Sequence, residues 1–141
     1  LLGDKYVLLN LKKFNNISPS LPKDAPCGEI DILCVDPKNK KLFVFEAKSV
    51  LQKNRPYSIK QTFNDFFGEK GKRYYNKLNK KYDFVSRNIE KFVQYFGLEY
   101  NEQWQVKKAF VVDKRIFAAY HTEYDIEFLL ISELSNFINQ K

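Results

Sequence analysis

Two runs and the turn between them decide the fold: Gly28-Glu29-Ile30-Asp31-Ile32-Leu33-Cys34-Val35-Asp36, then Pro37-Lys38-Asn39-Lys40, then Lys41-Leu42-Phe43-Val44-Phe45-Glu46-Ala47-Lys48. Both runs are dense in β-branched and aromatic residues, and Pro-Lys-Asn-Lys is a turn by composition. Two apolar runs this close in sequence predict an antiparallel hairpin. In a strand, residues i and i+2 share a face. Glu29, Asp31, Leu33 and Val35 therefore fall on one side of the first strand. On the second, Val44, Glu46 and Lys48 point one way, and Phe43, Phe45 and Ala47 the other.

Upstream, Lys5 to Lys12 reads as a short apolar strand, and Asn15 to Cys27, with Pro19, Pro22 and Pro26, as a loop. Downstream of Pro56 the period changes. Ser58 is positioned as an N-cap, and Ile59, Phe63, Phe66 and Phe67 recur at helical spacing until Gly68. From Lys72 the apolar positions Tyr75, Leu78, Tyr82, Val85, Ile89, Phe92, Val93 and Phe96 predict an amphipathic helix closed by Gly97, as one segment or as two divided at Asp83. The last third returns to strands at Gln105 to Val112, Ile116 to Tyr120 and Ile126 to Ile131. Ser132 then caps a short helix through Phe137. The order is β-β-β-α-α-β-β-β-α in a single domain spanning 1–141: an α/β fold with a mixed central sheet flanked by helices.

Composition narrows the function. At 44% hydrophobic and 29% charged, the chain has globular rather than disordered values. No run approaches a membrane span, so no membrane partner is expected. Cys27 and Cys34 are too few for a disulfide framework, and with one His they are too few for zinc. They read as reduced thiols of an intracellular protein (cytoplasm, nucleus or nucleoid), Cys34 packing on the face away from Asp31. The chain has no Met, which is expected of a processed chain or a domain taken from a longer parent. Net charge is +7, concentrated where residues 69–96 hold eight basic and three acidic side chains. Such a localised positive segment is the footprint of a polyanion binder, and Lys72, Arg73 and Lys77 lead it. The high aromatic content follows core periodicity, so it reads as packing; Tyr74 and Tyr75, inside the basic stretch, are the exceptions that could meet nucleic acid.

The chemistry concentrates in the hairpin. Placing Asp31 opposite Glu46 brings two carboxylates and the Lys48 ammonium to one end of two apolar strands, where isolated charges are costly unless paired or metal-bound. Mg²⁺ favours hard oxygen ligands and retains waters, so Asp31, Glu46 and the carbonyl of Ala47 would suit it.

These residues are also where a family resemblance lies. Gly28-Glu29-Ile30-Asp31, an apolar continuation, a turn, and Val44-Phe45-Glu46-Ala47-Lys48 resemble the core motif of the PD-(D/E)XK nucleases and their restriction-endonuclease-like fold. Asp31 matches the motif Asp, and Glu46 and Lys48 match its acid-x-Lys; Ile30 replaces the Pro. The resemblance implies that Asp31 and Glu46 hold Mg²⁺, with Mn²⁺ as a substitute, and that Lys48 orients or deprotonates the attacking water. Many relatives carry a further Glu on a helix ahead of the first strand, where this chain has only four residues; Glu29 is the nearby carboxylate that could assume part of that role. Gln61 lies on the first helix after the motif, where relatives often carry a polar active-site residue.

The function expected is Mg²⁺-dependent phosphodiester hydrolysis by a DNA endonuclease domain, DNA being favoured over RNA. A double-strand break would require two copies, as in a homodimer, or two events. Two alternatives stay open on the sequence: a catalytically silent nucleic-acid-binding module of the same fold, and a protein-interaction domain using its basic helix. In the plainest reading Asp31, Glu46 and Lys48 form a salt-bridged strand face, and residues 70–91 present the solvated side of a helix.

Overall fold

The computed structural model describes residues 5–50, 56–68, 73–115 and 124–139. Among them β1 (Tyr6–Leu11), β2 (Ile30–Asp36) and β3 (Lys41–Lys48) form an antiparallel meander. Helices α1 (Pro56–Phe67), α2 (Tyr74–Arg87) and α3 (Ile89–Tyr95) follow, then β4 (Gln105–Val112), β5 (Glu127–Leu130) and α4 (Leu134–Asn139). The sheet order is β1-β2-β3-β4-β5, with β4 parallel to both β3 and β5. It is an α/β protein with a five-stranded mixed sheet. No helix among the described residues is long and apolar enough to cross a membrane.

The central strand β3 is buried on both faces, as its unbroken run of Leu42, Phe43, Val44 and Phe45 demands. One face carries Leu33, Val35, Leu42 and Val44 against Phe66 and Phe67 of α1, Leu78 and Val85 of α2 and Phe92 and Val93 of α3. The other carries Cys34, Phe43, Phe45, Ala109, Val111 and Leu129 under Leu134 and Phe137 of α4. Aromatic rings do much of the packing. The Phe66 ring lies 4.9 Å from Phe110, 5.0 Å from Tyr74 and 5.2 Å from Phe128 between centroids. Tyr74 and Tyr75 pack against this core, the latter 4.8 Å from Tyr124, so both belong to the interior network.

The hairpin turn is held by Asp36, whose carboxylate accepts hydrogen bonds from the Asn39 amide (3.2 Å) and side chain (2.7 Å). The loop leads into β3 through Lys40 at φ +53°.

Three helix boundaries differ from the sequence reading. Helix α1 runs Pro56–Phe67, so Ser58 falls within the helical residues and not at an N-cap position. The long helical segment divides at Asn88, not Asp83. The Asn88 side chain donates to the Phe84 carbonyl at 2.8 Å and competes with the helical ladder, whereas Asp83 stays exposed within α2. At the last helix, Ser132 sits within a 3₁₀ turn (Ile131–Glu133), and it is Glu133 that accepts the Leu130 N–H at 3.0 Å. Gly97 closes α3 as expected. Its φ is +71°, its N–H donates to Gln94, and the Leu98 N–H reaches back to Val93. The strand expected at Ile116 to Tyr120 lies outside the described residues.

Candidate active site

The β2–β3 register runs from Asp36↔Lys41 to Ile32↔Phe45, which puts Asp31 beside Glu46 on the next rung. There a side chain joins the two strands: the Asp31 carboxylate accepts the Ala47 N–H at 2.9 Å. In a strand, a residue's N–H and C=O project to the same side. The Ala47 carbonyl is therefore turned toward β2 and Asp31. Across from Asp31 on β1, between the pairs Leu9↔Ile32 and Leu11↔Ile30, Asn10 has φ +51°. Asparagine tolerates this left-handed conformation better than other side chains that carry a Cβ.

Glu46 and Lys48 share the helix-facing side of β3 with Leu42 and Val44, as the two-residue period requires. Glu46 is only 4% exposed. Its Oε1 lies 3.1 Å from Lys48 Nζ, and its Oε2 accepts a hydrogen bond from Lys81 Nζ of α2. The Lys48 ammonium also sits 4.3 Å from the centroid of the Tyr74 ring, a cation–π contact at the first residue of α2. Beyond β3, Asp113 at the end of β4 accepts the Ser49 hydroxyl (2.8 Å) and the Val50 N–H (3.0 Å), which anchors the chain just past Lys48. Those two hydrogen bonds hold the Asp113 carboxyl below the usual carboxylate range.

The other sequence candidates are dispersed. Glu29 precedes β2 and lies 3.6 Å from Lys12 in an exposed ion pair. Arg73 is turned toward α1, 3.4 Å from Asp65. Lys77 and Gln61 are exposed on α2 and α1, and Lys72 lies outside the described residues. Lys77, Lys80 and Arg87 face solvent along α2, with Asp83 among them.

Lys81 is the residue the sequence reading passed over. Counted there within a basic run, it lies three residues after Leu78 and four before Val85, on the buried stripe of the helix. A lysine at that spacing was the available signal that one charge of the run points inward.

The donor set suits a hard divalent cation. Asp31 and Glu46 lie on neighbouring strands at one end of the hairpin and are hard oxygen donors of the kind Mg²⁺ takes together with water, with both Glu46 oxygens engaged by Lys48 and Lys81. Among the described residues no three His, Cys, Asp or Glu side chains gather as a metal cage. No protein-family model, curated protein or solved structure matches this chain.

Proposed function

We propose that this domain is a metal-dependent phosphodiesterase, an endonuclease domain of the PD-(D/E)XK kind acting on DNA. The observation that carries the reading is the hydrogen bond from the Ala47 N–H to Asp31, which ties the two carboxylate-bearing strands together one residue before Lys48. The order of elements supports it as well. An antiparallel meander leads through helices to further strands of one mixed sheet, an order similar to that of the family's fold.

Asp31, Glu46 and the Ala47 carbonyl would hold Mg²⁺ or Mn²⁺. When bound, the ion supplies Lewis acidity toward a phosphoryl oxygen and lowers the pKa of a water. Lys48, fixed between Glu46 and the Tyr74 ring and about one-quarter exposed, would present its ammonium to the attacking water and to the negative charge that develops on the phosphoryl oxygens. Lys77, Lys80 and Arg87, on the solvent side of α2, would contact backbone phosphates without reading sequence.

The test is incubation of the wild type, Asp31→Ala and Lys48→Ala with supercoiled plasmid and with single-stranded RNA, in Mg²⁺ and in EDTA. Nicking of the plasmid by the wild type alone, and only with metal, is the expected result. Salt-sensitive plasmid binding without cleavage would make the domain a silent binding module. No binding at all would leave the protein-interaction reading.

A further inference from the structure

Asp36, Glu46 and Lys81 are the buried polar or charged residues among those described. Asp36 belongs to the hairpin turn, whereas Glu46 and Lys81 belong to each other. The position of Lys81 is one that packing alone would give to an apolar residue, since Leu78 and Val85 flank it on the same stripe and neither is exposed. Burying an ammonium is costly unless it is paired. Its pairing is with the carboxylate that, on the phosphodiesterase reading, must also serve a metal. Lys48 already engages the other oxygen of that carboxylate, so packing and charge balance at Glu46 do not by themselves require a second lysine.

We infer that Lys81 is a positioning residue that holds Glu46 in place from the helix side and keeps the free protein's affinity for divalent cations low until a phosphate arrives. This inference rests on the phosphodiesterase reading. Asp31 and Glu46 bring two negative charges to the site, and Lys48 and Lys81 bring two positive ones. A lone dication therefore meets a site with no net charge. A substrate phosphate brings the missing negative charge, so metal and nucleic acid are taken up together. Replacing Lys81 by a neutral residue of similar length leaves the site net negative. Even screened as in bulk water, Coulomb repulsion between a dication and an ammonium about 6 Å apart makes a gain of about tenfold in metal affinity the expected consequence.

The experiment measures Mn²⁺ binding to the 141-residue chain without nucleic acid, by the electron paramagnetic resonance signal of free Mn²⁺. Wild type, Asp31→Asn, Lys81→Met and Lys81→Arg are compared. Expected are weak binding by the wild type, loss of it in Asp31→Asn, binding about tenfold tighter in Lys81→Met, and wild-type affinity in Lys81→Arg. If Lys81→Met does not fold, Lys81→Gln keeps a hydrogen-bond donor without the charge and carries the same expected gain. A Lys81 that merely supports packing would lower the melting temperature of the neutral variants and leave the affinity of the folded protein unchanged. That outcome, with Asp31-dependent binding intact in the wild type, overturns the role of Lys81 and leaves the phosphodiesterase reading standing. Absence of Asp31-dependent Mn²⁺ binding in both the wild type and the neutral variant overturns that reading, and the role of Lys81 with it.

Discussion

Glu46 and Lys81, 35 residues apart in sequence, meet across the β3–α2 interface with both side chains less than one-tenth exposed. Here the sheet and the helical layer are joined by charge instead of by apolar contact. Removing Glu46 leaves the Lys81 ammonium buried and uncompensated, whereas Glu46 without Lys81 still has Lys48. Glu46→Ala should therefore cost about 3–5 kcal/mol of stability, whereas the apolar pair Glu46→Leu with Lys81→Met should fold at close to wild-type stability. Urea unfolding of the two proteins separates these outcomes; a single variant as stable as the wild type would mean that the pair is not buried in solution.

Asn10 stands across from Asp31 with a left-handed backbone. Asn10→Gly should preserve or slightly raise the melting temperature, and Asn10→Val should cost about 1–2 kcal/mol through strain at a β-branched residue. Equal stability of the two variants would show that β1 does not turn at this residue.

Asp36 gives a pH signature. Burial alone would push its carboxyl upward, but the two hydrogen bonds from Asn39 and the Lys5 ammonium at 3.5 Å outweigh it and hold the carboxyl below its usual range. A group depressed in the folded state contributes stability above its unfolded pKa, near about 3.9, and loses it as pH falls through the folded value. The stability gap between wild type and Asp36→Asn should be full at neutral pH and shrink on acidification below about pH 4. Unfolding curves at several pH values measure it; a gap independent of pH would contradict the assignment.

The two thiols should differ in reactivity. Cys34 is fully buried beneath α4, and burial pushes its pKa up to about 12. Cys27 is only part-buried; burial raises its pKa too, opposed by a backbone hydrogen bond and by the charge of Lys81. A thiol reagent at mildly alkaline pH should modify Cys27 in the native protein and reach Cys34 only after unfolding, because reactivity requires an accessible thiolate. Peptide mapping of the modified protein decides it, and rapid native modification of Cys34 would contradict the packing of α4 over the sheet.

The hairpin was readable from sequence because its period is two and its apolar runs are dense. The span of β3 and the division of its residues between two faces follow from that period. Lys81 was not readable in the same way. Helical periodicity is judged from apolar residues, and a lysine on the apolar stripe looks like one more member of a basic run until its partner is seen on another element. Asn88 and Glu133 were missed for a related reason. Asp83 and Ser132 have the composition of helix caps, but the boundary depends on which side chain reaches a free backbone group: Asn88 reaches the Phe84 carbonyl and Glu133 the Leu130 N–H. The unpaired charge of the basic segment is likewise smaller than its count implies, since Lys81 faces Glu46 and Arg73 faces Asp65.

The central claim is that Asp31, Glu46 and Lys48 act together on a phosphodiester. It is met most directly by the single-turnover rate of plasmid nicking in Mg²⁺, measured for the wild type and for folded Lys48→Ala at equal bound DNA. Loss of an ammonium that stabilises the developing charge should slow the reaction by about 10²-fold or more, with DNA affinity little changed. Nicking by Lys48→Ala at the wild-type rate would contradict the claim.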